Sequence, residues 1–188
     1  MTNMKTALLL VDIQNDYFPN GKMELRGAVE ASEYASQLLK HFRKTKQPVF
    51  HIQHVSTKET ATFFLPNTEG VHIHEIVRPL QDETVILKHY PNSFRETNLL
   101  KQLQDLNIQH LIICGMMTHM CIDATVRAAF DFGLRCTVVH DACATKDLIF
   151  KNATIPAVYI HNTILASLND VYAEVMSTEE FLRFRNSI

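Results

Sequence analysis

Three side chains in this sequence are of the types that acyl transfer requires: an acid at Asp12, an amine at Lys88 and a thiol at Cys121. A free cysteine titrates near pH ~8.5, so only a small fraction is thiolate at neutral pH. A neighbouring carboxylate can take the thiol proton, and an ammonium group can stabilise the charge that develops on sulfur. Each residue also has an ordinary reading. A lone cysteine inside a cell is most often a small buried hydrophobe. An aspartate after a strand caps a loop, and a lysine at a strand end snorkels into solvent. Cys114 and Cys136, inside apolar runs, and Cys143, on a loop, fit the ordinary reading and are taken as bystanders.

What separates the two readings for Asp12, Lys88 and Cys121 is the set of elements that carries them. Thr6–Asp12 (TALLLVD) is a continuous apolar run ending in an acid, the pattern of a strand buried on both faces of a parallel sheet. Pro48–His54, Thr84–Lys88, Leu111–Gly115, Leu134–His140 and Val171–Val175 read as five further strands. Between them, Ala31, Ala35, Leu38 and Phe42 recur at helical spacing within residues 28–44, and Arg43 and Lys44 occupy the last turn, where the helix dipole favours cations. A helix around residues 96–106 is expected to bury Leu99, Leu103 and Leu106; another spans Ile122–Phe132 and stops at Gly133. Ala157, Ile160, Ile164 and Leu168 mark a fourth, and Ser177 with Glu180 forms a capping box that opens a last one. Strands alternating with helices predict right-handed crossovers and an α/β fold, a parallel sheet of about six strands covered on both faces, in one domain over residues 1–188. Ligands bind such a sheet beyond the carboxyl ends of its strands. Asp12 ends the first strand, Lys88 ends the third, and Cys121 follows the fourth at a helix start, where the positive dipole end favours thiolate.

Composition narrows the classes. The 188 residues are 46% hydrophobic and 20% charged, and 18 Lys+Arg against 20 Asp+Glu leave a net charge of -2. That balance argues against nucleic-acid binding. No apolar run approaches the roughly 18–20 residues of a membrane span, and Met1–Lys5 lacks a signal-peptide layout, so a cytoplasmic protein with reduced thiols is expected. The five glycines never reach a dinucleotide or P-loop spacing, and the four cysteines form neither a CxxC pair nor a zinc-ligand pattern. His51 and His54, three apart on a strand, should face opposite sides of the sheet; His72 and His74 share a face only if their segment is extended.

The stretches Leu9–Phe18 (LLVDIQNDYF), Val85–Phe94 (VILKHYPNSF) and Gly115–Ala129 (GMMTHMCIDATVRAA) resemble the three signature blocks of the isochorismatase-like cysteine hydrolases, and Asp141–Thr145 (DACAT) resembles the block after the fifth strand. The likeness runs from about Lys5 to about Val175, in the family's order. It implies a Rossmann-like, three-layer α/β/α fold and a triad of Asp12 as general base and acid, Lys88 as electrostatic partner and Cys121 as nucleophile. A tetrahedral oxyanion needs two donors. The Cys121 N–H is one candidate, and the resemblance supplies the other, the Met117 N–H presented by a cis peptide after Met116. Thr62–Gly70 resembles the family's substrate-side loop. Phe18, Phe63, Phe64 and Tyr90 are then candidates to line a pocket, with Asn15 and Asn92 offering hydrogen bonds and Thr118 and His119 beside the nucleophile; the alternative is that the aromatics serve the core or a subunit contact. Nicotinamidases, a branch of the family, hold a metal through an Asp-x-His and further histidines after the second strand. Residues 55–70 contain neither Asp nor His, so neither metal nor cofactor is expected. Family members are usually homo-oligomers, which implies a homodimer or homotetramer. The expected function is metal-independent hydrolysis of a small-molecule amide or related C–N bond, with a hint of similarity to the streptothricin-hydrolase-like members. The alternatives are an isochorismatase-type enol-ether hydrolase, whose members can lack the cysteine, and a redox-sensing or ligand-binding protein on the same scaffold.

Overall fold

The computed structural model describes residues 4–186; Met1–Asn3, part of the segment read above for a signal peptide, and residues 187–188 lie outside the described residues. The strands are β1 (Thr6–Val11), β2 (Val49–His54), β3 (Thr84–Lys88), β4 (His110–Met116), β5 (Arg135–Ala144), the short pair β6 (Leu148–Phe150) and β7 (Ala153–Ile155), and β8 (Glu174–Met176). Six of them form one sheet in the order β3-β2-β1-β4-β5-β8, with every neighbouring pair parallel. The helices are α1 (Ala28–Lys44), α2 (Leu99–Asp105), α3 (Asp123–Asp131), α4 (Ala157–Leu168) and α5 (Thr178–Asn186). Residues of β1 and β4 are buried without exception, which explains their unbroken apolar sequences.

Local signals behave as the sequence implies. α1 turns Ala31, Ala35, Leu38 and Phe42 inward, and Phe42 stacks on Phe181 of α5. Gly133 takes a left-handed conformation (φ 80°) just past α3, as a helix-ending glycine should. The Glu180 carboxylate accepts the Ser177 backbone N–H (2.7 Å) while Ser177 Oγ accepts the Glu180 N–H (3.2 Å), closing the capping box before α5.

Four expectations need correction. The sixth strand starts at Glu174, not Val171, because Tyr172 N and Ala173 N both bond back to Leu168 O, curling the chain; Val171 is left exposed. Leu106 is exposed as well, since α2 ends at Asp105 and Leu106 sits on its terminal cap. Cys143 belongs to β5 rather than a loop: a register shift against β4 lets β5 run on to Ala144. The loop expected after the fifth strand contains the antiparallel β6–β7 hairpin.

The sheet grows outward from β1 in one direction through β2 and β3, and from β4 in the other through β5 and β8. With right-handed crossovers, that reversal sends helices to opposite faces and opens a crevice between the ends of β1 and β4. Asp12 leaves β1 and Cys121 follows β4 at that crevice. Among the described residues, no helix is long and apolar enough to cross a membrane.

Candidate active site

The backbone at the crevice is tightly specified. Asp12 has φ 52°, in the left-handed region that aspartate tolerates better than most residues, and its N–H donates to Ile52 O at 3.0 Å. Beside it, Gly115 has φ 126°, and a Cβ there would stand 2.0 Å from Val11 O, so only glycine lets β4 pass this close to β1. The Met116–Met117 peptide is cis. One π-helical turn, Thr118–Ile122, then leads into α3 and carries Cys121. Cys121 therefore lies within a wound turn ahead of the helix, 5% exposed.

Lys88 Nζ is the hub. It lies 2.7 Å from Asp12 Oδ2, 3.1 Å from Cys121 Sγ, 3.2 Å from His54 Nδ1, 3.1 Å from Tyr90 O and 3.4 Å from Pro91 O. The side chains of Asp12 and Lys88 are fully buried, and the Asp12 carboxylate also neighbours the Cys121 thiol. Three residues spread over 110 positions of sequence thus meet around one ammonium group, far from the solvated roles that Asp12 and Lys88 have in the ordinary reading.

Burial pulls the Lys88 pKa down, but the Asp12 carboxylate and the Cys121 sulfur outweigh it, so the amine stays charged. Burial, reinforced by Asp12, pushes the Cys121 thiol well above its ordinary range despite the opposing pull of Lys88. The pull of the helix start toward thiolate is thus opposed by burial and by the Asp12 carboxylate. Carboxylate, ammonium and neutral thiol sum to zero charge; a thiolate would leave an uncompensated charge in a buried site. The other thiols are pushed up by burial too, Cys136 and Cys143 each to about 12.

The pocket candidates divide. Phe64 is buried edge-on against Tyr17 (4.7 Å between ring centroids) and lies 5.8 Å from the His54 ring. Phe63 is half-buried beside both Tyr17 and Phe64, and with Asn15, Thr62, Leu65 and Gly70 it lines a cavity of about 400 Å³. Asn15 Nδ2 donates to Glu69 O at 2.9 Å across that cavity's rim. Phe18 is instead stacked on His74 at 3.6 Å. Tyr90 contributes its carbonyl to Lys88 and packs its ring under the Arg95 guanidinium. Asn92 Oδ1 accepts the Phe94 N–H and so caps a turn. Thr118 is fully buried, donating to Ala144 O (3.3 Å) and pairing with His161 Nδ1 (2.9 Å), while His119 Nδ1 pairs with Thr145 Oγ1.

Two residues of this region escape the sequence reading, which leaves the role of a third, His54, open. Tyr17, rather than its neighbour Phe18, is buried beside the hub; burial, then Cys121, Asp12 and Asp16, hold its hydroxyl protonated. Gln14 is fully buried, donating to His54 O (2.9 Å) and Val71 O (2.7 Å) and accepting the His54 N–H (2.8 Å). His54 itself pairs in register with Lys88 across β2 and β3, a signal that becomes readable only once the strand pairing is known. His51 points to the other face and pairs with Glu83 at 2.9 Å, as strand alternation requires.

Asp12, His54 and Cys121 present donor atoms within 4.8 Å of one another, a carboxylate–imidazole–thiol set of the kind that suits zinc. The Lys88 ammonium, however, stands 2.7, 3.2 and 3.1 Å from those same donors, so this set already holds a cation and does not fit a divalent ion while Lys88 is charged.

The isochorismatase domain family matches residues 6–180. The uncharacterized isochorismatase family protein YddQ of Bacillus subtilis (strain 168) is 56% identical over 180 residues, covering 96% of this chain and all of that one. A streptothricin hydrolase of Streptomyces noursei is 32% identical over 142 residues, 76% of this chain and 50% of the hydrolase. Among solved structures, an isochorismatase from Pseudomonas putida KT2440 superposes with a TM-score of 0.88 at 38% identity, over 94% of this chain and 89% of that one.

Proposed function

The chain belongs to the isochorismatase family, and we propose that within it the protein is a cysteine hydrolase that opens a small-molecule amide or related C–N bond through an acyl-enzyme on Cys121. The observation that carries this reading is the Lys88 ammonium, 2.7 Å from the Asp12 carboxylate and 3.1 Å from the Cys121 sulfur in a buried site. As Cys121 Sγ attacks the substrate carbonyl, its proton passes to Asp12. The cluster's net charge is unchanged by that transfer, so a thiol too weakly acidic to ionise alone can still react. The backbone N–H groups of Met117 and Cys121 receive the oxyanion. Asp12 returns the proton to the departing nitrogen as the C–N bond breaks, leaving a thioester. Water then attacks the thioester, giving a proton to Asp12, and the released sulfur recovers that proton as the acid departs.

The similarity to a streptothricin hydrolase supports an amide-type substrate, and the nucleophilic cysteine favours acyl transfer over enol-ether hydrolysis. The test is ammonia or amine release from a panel of small amides, with mass spectrometry of the intact protein for an acyl adduct on Cys121. Turnover that survives in Cys121→Ala would refute the covalent mechanism.

A further inference from the structure

His54 has no part in the chemistry just described, yet it occupies the same hub. Its backbone is locked from two directions: both its N–H and its carbonyl are engaged by the buried Gln14 amide, and the parallel register sets it directly beside Lys88. Registered residues of neighbouring parallel strands project from the same face of the sheet, so the two side chains emerge together. The Phe64 ring flanks the imidazole at 5.8 Å.

An ammonium group has three N–H donors and no lone pair. At 3.2 Å from Lys88 Nζ, His54 Nδ1 can therefore only accept, which places the imidazole proton on Nε2. We propose that His54 is a positioning residue: by accepting one Lys88 N–H at Nδ1, it holds the ammonium between the Asp12 carboxylate and the Cys121 sulfur. This rests on the triad reading given above. Lys88 has five acceptors for three N–H groups, and two of them, Tyr90 O and Pro91 O, lie on the segment just after β3. Without the imidazole, those carbonyls would draw Nζ toward their side and lengthen its contacts with the reacting groups. Burial, with the Lys88 charge adding to it and Asp12 opposing, lowers the His54 pKa to about 4, so the ring remains an acceptor at physiological pH.

The test compares His54→Leu, which removes the acceptor, with His54→Asn, whose Oδ1 stands close to where Nδ1 does. His54→Leu should lower kcat about 10- to 100-fold with KM changed less than about threefold, the scale expected for a misplaced catalytic group. His54→Asn should recover most of that loss. The rate of Cys121 alkylation by iodoacetamide should fall in the same order, because it reports the ammonium's hold on sulfur without needing a substrate. If His54→Leu does not fold, as judged by thermal melting, His54→Met replaces it. Wild-type kcat and alkylation in the Leu or Met variant would overturn the proposal, as would equal losses in that variant and in His54→Asn. Failure of the triad reading looks different: Cys121→Ala would keep turnover, while the alkylation order would still decide the role of His54.

Discussion

Two clusters in this protein, one partly and one fully buried, are built from the same ingredients, a carboxylate, a cation and a histidine, and they have opposite characters. At the amino end of β3, Glu83 receives Arg43 Nε at 2.7 Å, Arg43 Nη2 at 2.8 Å, His51 Nε2 at 2.9 Å and the Leu80 N–H at 2.9 Å. At the carboxyl end of the same strand, the Asp12 carboxylate has the Lys88 ammonium at 2.7 Å and the Cys121 thiol beside it. Burial raises the Glu83 pKa, but Arg43, the Leu80 N–H and His51 overcome it and hold the carboxyl at about 2. A carboxylate saturated with donors keeps its charge and fixes structure. One with lone pairs to spare, beside a thiol, has somewhere to put a proton. Satisfaction, more than residue type, separates the structural cluster from the one proposed to react.

The contrast can be broken most severely at the thiol. Cys121→Ala should cost at least about 10³-fold in turnover, measured as amine release, with the fold intact by circular dichroism. Lys88→Met comes next: it should depress kcat by about 10²-fold or more and also destabilise the protein by about 3–5 kcal/mol, because Asp12 is left buried without its countercharge. Glu83→Gln should destabilise by about 1–3 kcal/mol in urea unfolding while kcat per folded molecule stays within about twofold. If Lys88→Met and Glu83→Gln lose activity alike, the two clusters do not differ in kind.

A gentler probe is pH. Glu83 is held at about 2 against an ordinary 4.5. Between those values the unfolded chain binds a proton that the folded chain does not, so stability rises with pH there. The contribution is complete above the ordinary value and is lost as pH falls through about 2. Urea midpoints measured across that window should flatten in Glu83→Gln relative to wild type. The smallest effect is expected at a bystander thiol. Cys136→Ala should cost about 1 kcal/mol and leave turnover unchanged; a large loss of activity would mean that a second sulfur takes part.

Much of this arrangement is legible in the sequence, and what is not has a common cause. β1 and β3 announce themselves because each is a short apolar run that stops on the charged residue it delivers, and α1 because its apolar positions repeat at helical spacing. These signals are local. The role of His54 is not, since it depends on β2 and β3 pairing so that residue 54 faces residue 88. The upward push on the Cys121 thiol is equally hidden, because its largest cause is how completely the fold buries the sulfur. The late start of β8 and the hairpin between β5 and α4 come from hydrogen bonds and pairings that composition does not encode.

Gly115 bears on how this protein could be re-engineered. With Val11 O only 2.0 Å from where a Cβ would be, a saturation library at position 115 should return almost no folded clones. The strand that leads to Cys121 is thus a fixed rail, closed to gradual adjustment. Variation in substrate choice has to be sought elsewhere, at exposed positions around the Phe63 cavity such as Pro19, Asn20, Lys22, Thr62, Leu65 and Thr68, where side chains can change size without moving β1 and β4 apart.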